Sequence, residues 1–125
     1  MVLIPAIVDT SVLVGSDYQL HEDLGEEWAI SVVTVGELEA GVLLAGDPTD
    51  RAARLRRLTA VLAEAPVLPV DHPVAARYGE LRSATSRRPT NGLWIAATAL
   101  ARDLTLVTAD ERQAALPLVR TRVLR

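Results

Sequence analysis

Cysteine, phenylalanine and lysine are absent from this chain of 125 residues. Without cysteine there is no disulfide framework and no thiolate metal site. Aromatic residues make up only 3% of the chain and hydrophobic residues 50%, so a core must be built from Val, Leu, Ile and Ala. Without lysine, every fixed positive side chain is an arginine. No apolar run approaches the roughly 18 residues of a membrane helix. Met1-Val2-Leu3-Ile4-Pro5 lacks the basic start and long apolar stretch of a signal peptide. The chain therefore reads as cytosolic, with no membrane partner. No Gly-x-Ser-x-Gly elbow and no glycine-rich phosphate loop occurs. His21 and His72 are isolated, which leaves Ser11 and Ser31 without a base for nucleophilic work.

The length corresponds to one domain over residues 1–125. A net charge of -3 and a pI of about 5.3 give no global field for nucleic acid. Local basicity exists, in Arg51, Arg54, Arg56 and Arg57, in Arg82, Arg87 and Arg88, and in Arg120, Arg122 and Arg125. Each group also fits a solvated helix face or tail. Arg87 and Arg88 adjoin the candidate site in sequence. The planar guanidinium fork suits phosphate, which makes that pair a candidate phosphate contact.

Short apolar runs alternate with helical stretches. Strands are expected over Ile4–Val8, Ala29–Val33, Val67–Val70, Thr105–Thr108 and Arg120–Leu124. Thr34 and Glu37 have capping-box spacing, so a helix is expected from Thr34 to about Ala45, ended by Gly46-Asp47-Pro48. Asp50–Ala65 follows as a helix with Leu55, Leu58, Val61 and Leu62 on one face. Asp71 caps a further helix with Pro73 in its first turn, running to about Thr85. Ser86–Thr90 reads as a loop and Asn91–Arg102 as the last helix. This alternation predicts an α/β fold, a three-layer α/β/α sandwich around a mainly parallel sheet. Ligands of such sheets sit at the carboxyl ends of the strands, where the strand order reverses.

Three acids lie near strand ends. Asp9 follows the first strand in Ile7-Val8-Asp9-Thr10-Ser11, Glu37 stands in Thr34-Val35-Gly36-Glu37-Leu38, and Asp110 follows Thr105-Leu106-Val107-Thr108-Ala109. Each has an ordinary explanation. Asp9 and Asp110 serve as cap or turn residues, and Glu37 as the capping-box acid. Together they offer hard oxygen ligands to Mg²⁺ or Mn²⁺. Such a cation polarises phosphate and lowers the pKa of bound water.

In order and spacing these segments, with Asn91-Gly92-Leu93-Trp94-Ile95-Ala96-Ala97, resemble the PIN-domain ribonucleases of the VapC toxin type over nearly the whole chain. The resemblance implies Mg²⁺-dependent RNA cleavage, with Mn²⁺ as the substitute ion. It also implies a homodimer and neutralisation by a small VapB-type antitoxin. By position, Asp9 resembles the first metal ligand, Glu37 the second acid and Asp110 the fourth. Thr108 resembles the polar neighbour of the metal's water shell, while Thr10, Ser11 and Asn91 support the site.

The third acid of the family, which follows an Asn, falls on Gly92. Glycine inside a helix costs roughly 1 kcal/mol against alanine, and an acid in a first turn is favoured by the helix dipole. Asn91 is already a good cap, and no packing reason for glycine is visible. Gly92 therefore reads as an inactivating substitution, introduced or selected, with a naturally degenerate copy as the other source. Impaired cleavage is the expectation. An inactive PIN domain that still binds antitoxin or RNA is the alternative. A phospho-accepting receiver domain would need an active-site lysine, which this chain lacks.

Overall fold

Ala6, Ile7 and Val8 form β1 (Ala6–Val8) and point alternately to the two faces of a parallel sheet. Ala6 and Val8 enter one apolar cluster with Trp28, Ile30, Leu38, Val42, Leu58 and Val61. Ile7 enters the other with Val74, Leu81, Leu93, Ile95, Ala97 and Leu106. A strand buried on both faces has to be continuously apolar, which is why β1 shows no polar alternation. The computed structural model describes residues 5–14, 27–86 and 89–124.

The remaining strands are β2 (Trp28–Ser31), β3 (Val67–Leu68), β4 (Thr105–Thr108) and β5 (Thr121–Val123). The sheet has five strands in the order β3-β2-β1-β4-β5, and every pairing is parallel. The helices are α1 (Thr10–Leu13), α2 (Val32–Leu43), α3 (Pro48–Glu64), α4 (His72–Ala84), α5 (Thr90–Ala101) and α6 (Glu111–Ala114). α2 and α3 pack against each other over one face, and α4 and α5 form a close pair over the other. The three-layer α/β/α sandwich is the expected one. The chain adds β2 and β3 on one side of β1 and β4 and β5 on the other, so the order reverses between β1 and β4.

Local signals fix most boundaries. Asp47 caps α3 by accepting from Asp50 N at 2.8 Å, and Pro48 fills the first turn. Gly46-Asp47-Pro48 thus starts α3, two residues before the expected Asp50, as well as ending α2. Asp71 caps α4 as expected, accepting from Val74 N at 3.2 Å. β3 is shorter than expected, and β5 loses a residue at each end. Ile4, expected in β1, lies outside the described residues.

Three expectations are corrected. Ser31, not Thr34, caps α2, its hydroxyl accepting from Val33 N at 3.0 Å. The β-branched run Val32-Val33 resembles a strand, but the cap turns the chain into helix at Val32. Thr34 is then fully buried in the first turn and Glu37 stands beyond that turn, so no capping box exists. Secondly, α5 begins at Thr90 with Pro89 at its N-cap and no side-chain cap bond, so Asn91 is inside the helix. Proline fixes φ near the helical value and brings the chain in one residue earlier. Thirdly, Leu55 and Leu62 are 50% and 42% exposed, because the buried stripe of α3 consists of Leu58 and Val61. Among the arginines of α3, Arg54 donates to Gly41 O at 2.7 Å and fastens α3 to α2. No described helix is long and apolar enough to cross a membrane.

Replacing Ser31 with alanine should lower the unfolding free energy by about 1 kcal/mol, the usual value of a Ser cap. Urea denaturation measures it, and an unchanged midpoint would return the cap to another residue.

Candidate functional site

The strand order reverses between β1 and β4, which pair in parallel so that their carboxyl ends lie side by side, the place where ligands bind in sheets of this kind. Asp9 leaves β1 there, its N–H donating to Val107 O of β4 at 2.8 Å. It occupies the N-cap position of α1, yet its side chain makes no cap bond. The carboxylate instead turns to two hydroxyls. Ser11 Oγ donates to Asp9 Oδ2 at 2.6 Å and Thr108 Oγ1 donates to the same oxygen at 2.8 Å. Asp9 is 7% exposed, and no arginine pairs with it among the described residues. A carboxylate buried in this way depends on charge-assisted hydrogen bonds.

Thr108 carries the arrangement to the second acid. Its Oγ1 accepts from Asp110 N at 3.0 Å while donating to Asp9, and Ser11 Oγ lies 3.1 Å away. Ser11 Oγ also accepts from Ala109 N at 2.9 Å. Two hydroxyls thus stitch the end of β1 to the turn after β4. Asp110 caps α6, its Oδ1 accepting from Arg112 N at 2.8 Å with Arg112 Nε 3.6 Å off. The Arg112 N–H, with help from its guanidinium, holds the Asp110 carboxyl below the usual carboxylate range, against a smaller opposing effect of burial. Stability from ionised Asp110 is complete above the ordinary aspartate range and fades as pH falls through the lowered folded value.

Glu37 joins from α2 through Thr10, whose Oγ1 donates to Glu37 Oε1 at 2.7 Å and lies 3.0 Å from Thr34 Oγ1. Asp9, Glu37 and Asp110 therefore surround one edge, linked through Thr10, Ser11 and Thr108. Arg87 and Arg88 lie outside the described residues. Asn91 is exposed and does not cap α5.

Gly92 is the third residue of α5, half-buried, and its carbonyl accepts from Gln113 Nε2 at 2.6 Å. A Cβ at this position would meet Gln113 Oε1 at 2.7 Å and Gln113 Cδ at 3.3 Å. The carboxamide of Gln113, a residue only 8% exposed, occupies the side-chain space, so any side chain at residue 92 has to move the end of that glutamine.

Among the described residues no three Asp, Glu or His side chains come together to hold a metal ion. Asp110 is engaged by its own helix, and residue 92 has no side chain and faces the Gln113 carboxamide. The residues present do not fit a three-acid divalent-cation centre. Two residues of this edge escaped the sequence reading. Thr34 was assigned to a cap, and Gln113 is brought to Gly92 only by the docking of α6 on α5.

Residues 6–118 match the PIN domain family. The chain is 39% identical over 119 residues to Ribonuclease VapC4 of Mycobacterium tuberculosis, covering 90% of this chain and 91% of that one. It is 41% identical over 117 residues to Ribonuclease VapC5 of the same organism, covering 88% and 86%. The fold superposes with a TM-score of 0.82 and 36% identity on a chain of VapBC-5 from Mycobacterium tuberculosis, a member of the VapBC family of toxin–antitoxin systems. The match covers 98% of each chain.

Thr108→Val preserves shape but leaves Asp110 N–H without its acceptor and Asp9 without one donor. It should cost about 1–3 kcal/mol of stability. An unfolding free energy equal to that of the parent chain would remove Thr108 from its role in organising this edge.

Proposed function

The chain belongs to the PIN domain family, and from that premise we propose that it is a VapC-type endoribonuclease toxin whose hydrolytic site is incomplete at residue 92. The observation that carries this reading is the buried Asp9 carboxylate at the strand-order reversal, hydrogen-bonded by hydroxyls and free of any cap. The two relatives named ribonucleases support RNA as the substrate, and the VapBC-5 assembly supports a VapB-type antitoxin as partner. A homodimer belongs to the same proposal.

In this reading Mg²⁺, or Mn²⁺ in its place, is the cofactor of the complete site and supplies a Lewis acid and an acidified water. Asp9 and Asp110 are the oxygen donors this chain still offers. Glu37, oriented by Thr10, stands at the rim as an acceptor for water or a ribose hydroxyl. Ser11 and Thr108 fix the Asp9 carboxylate in one rotamer, which favours a single ligand geometry over an adaptable one. RNA is read most readily as single strand, so a hairpin loop is the preferred target. Arg87 and Arg88 are retained as the proposed phosphate contacts.

The filled position 92 also favours a second reading, in which the chain is a PIN module that binds antitoxin or RNA without cutting. The two differ in catalysis alone. Total RNA is incubated with this chain and with its Gly92→Asp variant, each with Mg²⁺ and with chelator. The expected result is metal-dependent cleavage by the variant, at least about tenfold above this chain, the scale on which ligand-supporting groups act. Equal turnover by both forms would contradict an impairment at residue 92. Cleavage by neither, with antitoxin still bound, would favour the binding module.

A further inference from the structure

The contact between Gly92 and Gln113 has a consequence for the site beyond the loss of one acid. Gln113 is the third residue of α6, directly after the turn that carries Asp110. Its carboxamide reaches across to α5, donates to Gly92 O at 2.6 Å, and lays Oε1 against the face of Gly92 from which a side chain would project. Gln113 is buried, and among the described residues no buried side-chain oxygen or nitrogen lacks a partner. The space a Cβ at residue 92 would enter is therefore already taken by the Gln113 carboxamide. Nothing in the backbone asks for glycine here, because Gly92 lies in the first turn of an α-helix.

We propose that Gln113 closes position 92. In this proposal residues 92 and 113 form one packing unit that keeps a third oxygen ligand out of the Asp9–Asp110 edge. The inference rests on the reading of residue 92 as a missing ligand position. A side chain added at residue 92 must push the carboxamide away from the Gly92 carbonyl. The far end of a glutamine can swing aside, so a Gly92→Asp change is tolerated, but its carboxylate competes with the displaced carboxamide for the same edge. Removing the carboxamide as well gives the new carboxylate an unobstructed approach. Gln113 is in this sense a positioning residue that acts through residue 92.

Two measurements test the pair. The first needs no metal and no activity. Gly92→Ala, Gln113→Ala and the double variant are melted in chelator. Gly→Ala within a helix normally stabilises. Alone, Gly92→Ala should leave the melting temperature unchanged or lower it. In the Gln113→Ala background it should raise it by roughly 4 °C. The same shift in both backgrounds would overturn the proposal, since independent sites add.

The second measurement is Mn²⁺ titration calorimetry of the Gly92→Asp variant with and without Gln113→Ala. The double variant should bind Mn²⁺ about tenfold or more tightly than the single one, within the range by which supporting residues alter metal affinity. Equal affinities would show that Gln113 does not guard the site. Absence of Mn²⁺ uptake by both variants would count against the metal reading of the edge itself, and the melting cycle would still decide whether Gln113 and residue 92 share one space.

Discussion

The hydroxyl of Thr108 ties the two halves of the sheet together where their order reverses. It donates to Asp9 Oδ2 and accepts from Asp110 N, so one oxygen fixes the carboxylate at the end of β1 and the turn that launches α6. Both strands reach that point because they pair in parallel, with Val8 opposite Val107. In a parallel pair the carboxyl ends coincide, and any acids placed just beyond them are neighbours whatever their separation in sequence. Ser11 closes the same knot from α1, bonding Asp9 on one side and Ala109 N on the other. The edge is a consequence of topology, and its hydroxyls are what hold a buried carboxylate there, with no arginine paired to it among the described residues.

The same knot is independent of residue 92. Asp9, Thr108 and Asp110 are held by one another and by backbone, with no bond to Gly92. Glu37 is held separately through Thr10. The geometry presents an ordered acidic edge with the Gln113 carboxamide against Gly92, and it accommodates both proposed readings, an impaired nuclease and a binding module.

Much of the architecture was legible in the residues. β1 is continuously apolar and ends at Asp9, β4 sends Leu106 and Val107 to opposite faces, and α4 has an Asp cap with Pro in its first turn, so their positions follow from local chemistry, whereas Asp47-Pro48 starts α3 where the sequence reads as the end of α2. The α2 boundary did not follow from it either, because Ser31 and Thr34 are both competent caps and Val32-Val33 suits a strand as well as a helix. Burial decided between them by enclosing Thr34 entirely and directing its hydroxyl towards Thr10. α1 and α6 have four residues each, too few to produce a periodic pattern. The acids at positions 9, 37 and 110 were found by their places after apolar runs. The partnership of Gly92 with Gln113 was not found, because it joins residues 21 apart through the docking of two helices and leaves no local mark.

Crystals of the unaltered chain soaked in Mn²⁺, with anomalous diffraction recorded, test the central claim most directly. The account predicts no ordered Mn²⁺ peak between Asp9 and Asp110, with the Gln113 carboxamide on the Gly92 carbonyl. A full-occupancy peak ligated by Asp9 and Asp110, with Gln113 swung away, would contradict it.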